Sequence, residues 1–332
     1  MSNMFTSEQA IERLPVVVLM LKTDCNCRCA MCDIWKDTSK ASLPLQTIEN
    51  ISRQMKSLRT REIVLSGGEP LMHKEIEKIC RLLYSKNFKI TLITTGLLLK
   101  HHASWISECI KQIYVSLDGP EDVHNSIRNI PGAFGKITRG IETVRNFRKN
   151  IGIGGRCTVH KQNFQHIVST VAAAKEAGMD SISFLAADIQ QDNFGRTSDW
   201  NENGISLSAE EIAELDDILE QLYINNKVDF ESGFIVESRD KLQKKLLDYY
   251  RALAEGKEFP EVDCNAPWVS SVIETDGRIR PCFFHKPYDE NINDGTITDI
   301  LNSSSAKDWR KNLDVKTDAI CKSCVCSLSY RE

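Results

Sequence analysis

The sequence predicts an α/β fold: a partial barrel of six parallel strands wrapped by helices, followed by a small cysteine-rich C-terminal domain. Three observations carry that expectation. Short apolar runs alternate with amphipathic helical stretches across the first 190 residues, the pattern of repeated βα units. Six strands are too few for the eight of a closed barrel. Twelve cysteines occur in 332 residues, four of them within Cys25–Cys32 and five between Cys264 and Cys326.

The strands are expected at Pro15–Leu21, Glu62–Ser66, Lys89–Thr94, Gln112–Leu117, Gly152–Val159 and Ser181–Ala186. Helices are expected between them at Leu45–Leu58, His73–Lys86, His102–Cys109, Phe134–Lys149 and Phe164–Ala177. The fourth shows its period plainly in Phe134, Ile137, Ile141, Val144 and Phe147, which puts one apolar face on the sheet. Gly178 stands where the fifth helix should stop. Cys80 and Cys109 sit within apolar helical stripes and read as small core residues, while Cys157 stands alone. After Asp188 the polar stretch Gln190–Ser206 reads as a long loop. Ser208 and Glu211 form a capping-box pattern that opens a helix through about Tyr223. A second helix, Arg239–Glu255, carries Leu242, Leu246, Tyr250 and Leu253 on one face and stops at Gly256. A hairpin turn at Asp276-Gly277 lies in the tail. The domains are therefore expected at 1–188 (core), 189–260 (loop and helical linker) and 261–332 (cysteine-rich tail).

Charge narrows the partners. Lys and Arg total 42 against 46 Asp and Glu, a net −4, so no bulk field favours nucleic acid or an anionic membrane. The longest apolar run, Val16–Leu21, is far short of a membrane span, and no signal-peptide layout follows Met1. A soluble, cytoplasmic protein is expected. In that compartment thiols stay reduced, so clustered cysteines point to metal or redox chemistry rather than disulfides.

Cys25, Cys29 and Cys32 have the spacing C-x3-C-x2-C just after the first strand. Three thiolates so close can hold one face of an iron–sulfur cube and leave its fourth iron open to a ligand. Zinc, or a loop that is cysteine-rich by coincidence, remains open on spacing alone. One βα unit later a strand ends in Gly67-Gly68-Glu69-Pro70. The glycines allow close backbone approach, and Glu69 can accept hydrogen bonds from an ammonium.

Together the two motifs resemble the radical S-adenosylmethionine (radical SAM) superfamily. Thr94-Thr95-Gly96 stands where that family commonly carries Thr-Asn-Gly, with Thr95 in place of the Asn. Ser116-Leu117-Asp118-Gly119 resembles the family's ribose-binding motif, which implies ribose contacts for Ser116 and Asp118. Arg156 or Arg128 is implied as partner of the methionine carboxylate; a solvated surface role is open for both. Asn163 follows the fifth strand without a clear role. The tail pattern C-x12-G-x4-C at Cys264, Gly277 and Cys282, followed by Cys321-x2-Cys324, resembles the SPASM/twitch auxiliary-cluster domains. It implies one auxiliary 4Fe–4S cluster on Cys264, Cys282, Cys321 and Cys324, with zinc on the same four as the rival. Cys27 is outside the first frame, and Cys326 is a spare, a substitute ligand or a hydrogen donor.

The resemblance implies reductive cleavage of S-adenosylmethionine on a 4Fe–4S cluster and hydrogen abstraction from a substrate C–H bond. An auxiliary cluster then implies oxidation, and a low-potential donor of flavodoxin or ferredoxin type. Only about twenty-four residues precede Cys25, so no leader-peptide recognition or cobalamin domain is expected ahead of it. The end Ser-Tyr-Arg-Glu lacks the Gly-Gly of molybdopterin-precursor cyclases. A small polar substrate such as a sugar or cyclitol alcohol is favoured over a peptide. Arg156, His160, Asp188 and His285 are the acid–base candidates, indistinguishable in sequence. A peptide maturase is the alternative; a non-catalytic electron carrier or zinc module is a further one.

Overall fold

The computed structural model describes residues 10–191, 193–196 and 204–331. The expected loop Gln190–Ser206 therefore lies partly outside the described residues, at 192 and 197–203. Six strands joined by helical crossovers come first. They comprise β1 (Val16–Met20), α1 (Leu45–Ser57), β2 (Glu62–Ser66), α2 (Ile76–Ser85), β3 (Lys89–Thr94), α3 (Leu99–Cys109), β4 (Gln112–Ser116), α4 (Glu121–Arg128), α5 (Ala133–Phe147), β5 (Gly152–Val159), α6 (Ile167–Glu176) and β6 (Ser181–Ala186). The linker holds α7 (Ala209–Asn225), α8 (Lys227–Glu231), α9 (Arg239–Leu242) and α10 (Tyr249–Glu255), the last two joined by a π-helical turn, Gln243–Asp248. The tail adds α11 (Ala266–Val269), β7 (Ser270–Ile273), β8 (Ile279–Arg280), α12 (Ile297–Leu301), α13 (Ser304–Asn312) and α14 (Ala319–Lys322).

All six core strands pair in parallel with their sequence neighbours. Alternate residues such as Val17, Leu19, Ile63, Leu65, Ile113 and Val115 are buried in one core with the outer helices. The intervening, half-buried set, including Val18, Val64, Tyr114 and Ser116, lines the concave face. Two-face burial of this kind is what parallel strands require.

The sheet has eight strands, in the order β6-β5-β4-β3-β2-β1-β7-β8. β7 pairs in parallel with β1, Val16 to Ser270 through Leu19 to Ile273, and β8 closes a hairpin on it. The free edge of an apolar strand needs a cover, and the tail supplies it. The tail is thus stitched to the core through backbone hydrogen bonds.

Local signals hold in detail. Ser208 and Glu211 make the reciprocal capping box at α7, and Cys80 and Cys109 are buried at 0% and 4% exposure. Phe147, expected on the buried face of α5, is 60% exposed at the helix end. The expected continuous helix Arg239–Glu255 contains the π turn, which keeps Leu242, Leu246 and Tyr250 buried together.

Candidate active site

The cysteine loop follows β1 and is held by the backbone of the turn after β2. Gly68 N–H donates to Lys22 O at 2.8 Å and Glu69 N–H to Asp24 O at 3.0 Å. A Cβ on Gly68 would lie 2.0 Å from Asp24 O, and one on Gly67 (φ +131°) 2.5 Å from Lys22 O. The two glycines are thus demanded by contact with the Cys25 loop itself. Glu69 is fully buried. Its Oε1 accepts from Leu71 N at 2.9 Å and Thr94 Oγ1 at 2.8 Å, and its Oε2 from Thr95 N at 2.7 Å. Burial pushes its carboxyl up, against those hydrogen bonds. Thr95 Oγ1 reaches on to Asn26 Oδ1 at 3.0 Å, so the third strand end also grips the cysteine loop. Pro70 is buried behind it.

Within the loop Cys27 and Cys29 are buried and Cys25 and Cys32 half-buried. The Cys29 thiol is lowered to about 6 by a hydrogen bond from Cys27 and, against burial, by the Arg128 charge. Cys25 is lowered by its hydrogen bond with Cys27, whereas hydrogen bonds to its two neighbours push Cys27 up. Burial raises Cys32 to about 12. Thiolates are the metal-binding form, and both lowered thiols, Cys25 and Cys29, belong to the expected trio. Met31, Ile127, Ala187, Ile189 and Ile205 pack around these sulfurs. Beside Cys25 opens a cavity of about 710 Å³, where Arg28 and Lys36 flank the Trp35 ring at 5.7 and 5.6 Å.

The fourth strand end is also tied inward. Asp118 is fully buried, with Oδ2 2.6 Å from Arg128 Nε and Oδ1 accepting from Thr158 N at 3.4 Å. Asn163, whose role the sequence left open, donates to Asp118 O and Thr158 O, both at 3.0 Å, and accepts from His160 N at 2.7 Å. It is a clamp on the β4 and β5 ends. Arg156 is half-buried over Tyr114, 5.9 Å from the ring, and its Nε has no hydrogen-bond partner.

The four acid–base candidates are not brought together: no hydrogen bond or ion pair joins any two of them among the described residues. His160 is fully buried, lowered to about 4 by that burial, and its Nε2 has no hydrogen-bond partner. Asp188 pairs with Arg196 at 3.4 Å. His285 lies in the tail with Nε2 3.3 Å from Cys321 Sγ.

The tail gathers Cys264, Cys282, Cys321 and Cys324. Cys264 Sγ accepts from Leu328 N and Cys324 Sγ from Cys326 N, both at 3.4 Å. Burial raises Cys282, Cys321 and Cys324, and the other tail thiols raise them further. Tetrahedral zinc would need sulfurs about 3.8 Å apart, given its bonds of about 2.3 Å. Among the described residues the only trio of such ligand atoms within 4.8 Å of one another is His285, Asp318 and Cys321.

One segment missed in sequence joins the two cysteine sets. Phe194 O accepts from Asp33 N at 2.8 Å and lies 3.8 Å from Cys32 Sγ, while its ring meets Phe283, the neighbour of Cys282, at 5.1 Å. Arg196 donates to Met31 O at 3.3 Å, and Gln191 Nε2 to Ser323 Oγ at 3.0 Å. Phe194 takes φ +61°, rare for an aromatic residue, which no periodicity reveals.

Comparison with known proteins agrees with this geometry. The sequence model of the Radical SAM superfamily matches residues 21–174, and that of the SPASM iron–sulfur cluster-binding domain residues 264–325. Fe-coproporphyrin III synthase of Methanosarcina barkeri is 27% identical over 177 residues, 52% of this chain and 44% of that one. The antilisterial bacteriocin subtilosin biosynthesis protein AlbA of Bacillus subtilis is 24% identical over 288 residues, 84% of this chain and 57% of that one. The chain spans about half the length of these curated relatives. The structure of Streptococcus suis SuiB bound to S-adenosylmethionine superposes with a TM-score of 0.67 at 13% identity, over 97% of this chain and 74% of that one, a likeness of fold. Among the described residues no helix is long and apolar enough to cross a membrane. The domain pair implies a 4Fe–4S cluster that works with S-adenosylmethionine, and an auxiliary iron–sulfur cluster. The chain carries a radical SAM domain followed by a SPASM domain.

Proposed function

We propose that the protein uses a radical SAM centre to oxidise a C–H bond of a peptide substrate. Cys25, Cys29 and Cys32 hold the first cluster, and Cys264, Cys282, Cys321 and Cys324 the auxiliary one. When bound, the first cluster with S-adenosylmethionine supplies a carbon radical able to abstract hydrogen. The auxiliary cluster supplies an electron acceptor. The chain's own residues shape the chamber. Gly67 to Pro70 fix the cysteine loop, and Met31, Ile127, Ala187 and Ile189 keep water from its sulfurs. Ser116, on the concave face with no side-chain hydrogen bond among the described residues, serves the ribose. Asp118 supports it from behind, with its carboxylate turned to Arg128. Arg156, with its Nε unpartnered, serves the methionine carboxylate. A flavodoxin- or ferredoxin-type donor supplies the electron.

The observation that carries the oxidative reading is Phe194, whose carbonyl lies beside Cys32 and whose ring meets Phe283, next to Cys282. A substrate held against Phe194 would lie between the two cysteine sets. The peptide class is favoured over a sugar or cyclitol because the alignment with AlbA runs over 84% of this chain, against 52% for that with Fe-coproporphyrin III synthase. The test is anaerobic incubation with reductant, S-adenosylmethionine and either short peptides or polyols deuterated at carbon. Deuterium entering 5′-deoxyadenosine only with peptides supports the reading, and transfer only from polyols refutes the peptide class. Cys282→Ser and Cys324→Ser should keep that transfer while losing oxidised product; full product from both would refute the oxidative role of the tail.

A further inference from the structure

Arg128, in the last turn of α4, has a position that carriage of a ligand carboxylate does not explain. It is 8% exposed, and its side chain is already shared between two protein partners. Nε donates to Asp118 Oδ2 at 2.6 Å, and Nη1 donates to Cys29 Sγ at 3.4 Å. A planar guanidinium fork can serve two acceptors at once, which a lysine ammonium on a flexible stem cannot do with the same geometry. The carboxylate end is itself immobilised. Asp118 N–H donates to His124 Nδ1 at 3.2 Å and Asp118 O accepts from Asn163 at 3.0 Å. The backbone of Arg128 completes the grip, with its carbonyl accepting from Arg28 N at 3.1 Å. The β4 end therefore fixes a guanidinium, and the guanidinium fixes one sulfur of the cysteine loop.

We propose that Arg128 is a positioning residue for Cys29 that raises the reduction potential of the cluster this sulfur helps to hold. The proposal rests on the reading of Cys25, Cys29 and Cys32 as cluster ligands. Hydrogen bonds to cluster sulfurs and buried charge are levers on reduction potential. An N–H donated to sulfur favours the more negative, reduced state. Asp118 offsets part of the guanidinium charge, so the two partners pull in opposite directions. Removing the donor lowers the potential; removing only the counter-charge raises it.

The experiment is an EPR-monitored redox titration of anaerobic full-chain holoprotein, following the signal that changes when S-adenosylmethionine is added. In Arg128→Met the reduced-to-oxidised ratio at fixed ambient potential should fall at least tenfold, 59 mV for a one-electron couple. In Asp118→Asn it should rise, and Arg128→Lys should fall between wild type and Arg128→Met. Arg128→Met strands a buried carboxylate and can fail to fold. The double variant Asp118→Asn/Arg128→Met removes both charges and keeps only the loss of the N–H donor, so its ratio should fall below wild type but stay above that of Arg128→Met. A ratio within threefold of wild type in Arg128→Met overturns the proposal, as does a double variant at or above wild type, and as do shifts of the same sign in Arg128→Met and Asp118→Asn. A merely structural role would not give opposite signs. If Cys29→Ala leaves the S-adenosylmethionine-sensitive signal intact, the ligand reading fails, and the inference with it.

Discussion

Gly68→Ala is the sharpest test of how the cysteine loop is held. The added methyl would sit 2.0 Å from Asp24 O, where ordinary contact begins at 3.4 Å, so the two backbones must part by about 1.4 Å. The hydrogen bonds Gly68 N–H to Lys22 O and Glu69 N–H to Asp24 O, 2.8 and 3.0 Å long, do not survive that shift. At about 1 kcal/mol each, the loss is about 2 kcal/mol. Unfolding entropy of about 2.1 cal/mol/K per residue, over the 332 residues, converts this to a Tm drop of roughly 3 °C. Gly295→Ala is the control, since nothing lies within 4 Å of its Cβ position and surface changes stay within about 0.5 kcal/mol. The assay is a thermal melt of metal-free protein together with iron content after anaerobic reconstitution. The variant should melt lower and hold less iron than the control. Equal melting and full iron loading in both would refute the claim that backbone contact after β2 places the cysteines.

Other outcomes follow from the same geometry. Anaerobically reconstituted protein should contain about eight iron and eight sulfide, two cubes' worth, and replacement of Cys25, Cys29 and Cys32 by Ala should leave about four of each; one zinc with about four iron would overturn the auxiliary cluster. Cys27→Ser should keep the iron content, because Cys27 lies outside the C-x3-C-x2-C frame of Cys25, Cys29 and Cys32; loss of the first cluster's iron would make Cys27 a ligand. His160 is held neutral with its value lowered to about 4 by burial. Its contribution to stability is therefore complete above about pH 6.5 and is lost as pH falls toward 4, at about 1.36 kcal/mol per unit. His160→Gln should flatten that part of a denaturant-stability profile against pH; an unchanged slope would refute the assignment.

Much of this was legible in sequence where the signal is local. The six core strands and the α5 stripe from Phe134 to Val144 declare themselves by period, and Ser208 with Glu211 by capping chemistry. The cysteine spacings and Gly67-Gly68 are legible because residue type and near-neighbour distance carry the chemistry. What was hidden depends on partners far along the chain. Ser270–Ile273 is too short to announce that it pairs with Val16–Leu19. The Arg128 contact with Cys29 spans 99 residues, and no spacing rule encodes it. Phe194 occupies a left-handed backbone conformation that composition would have assigned to glycine or asparagine. The substrate stays unreadable because several elements, each contributing one or two side chains, line the concave face.

The pairing of β7 with β1 also bears on how the protein is made. Val16–Met20 is an uncharged apolar segment, and the strand that closes its outer edge is synthesised about 250 residues later. At about 5–20 residues per second, that edge waits roughly 10–50 s before its partner leaves the ribosome. Such segments recruit other chains when bare. Nascent protein thus needs protection during elongation, and a version cut before Ser270 would keep the bare edge permanently. Precipitation of such a truncation would report an uncovered strand and would occur equally in the complete absence of iron.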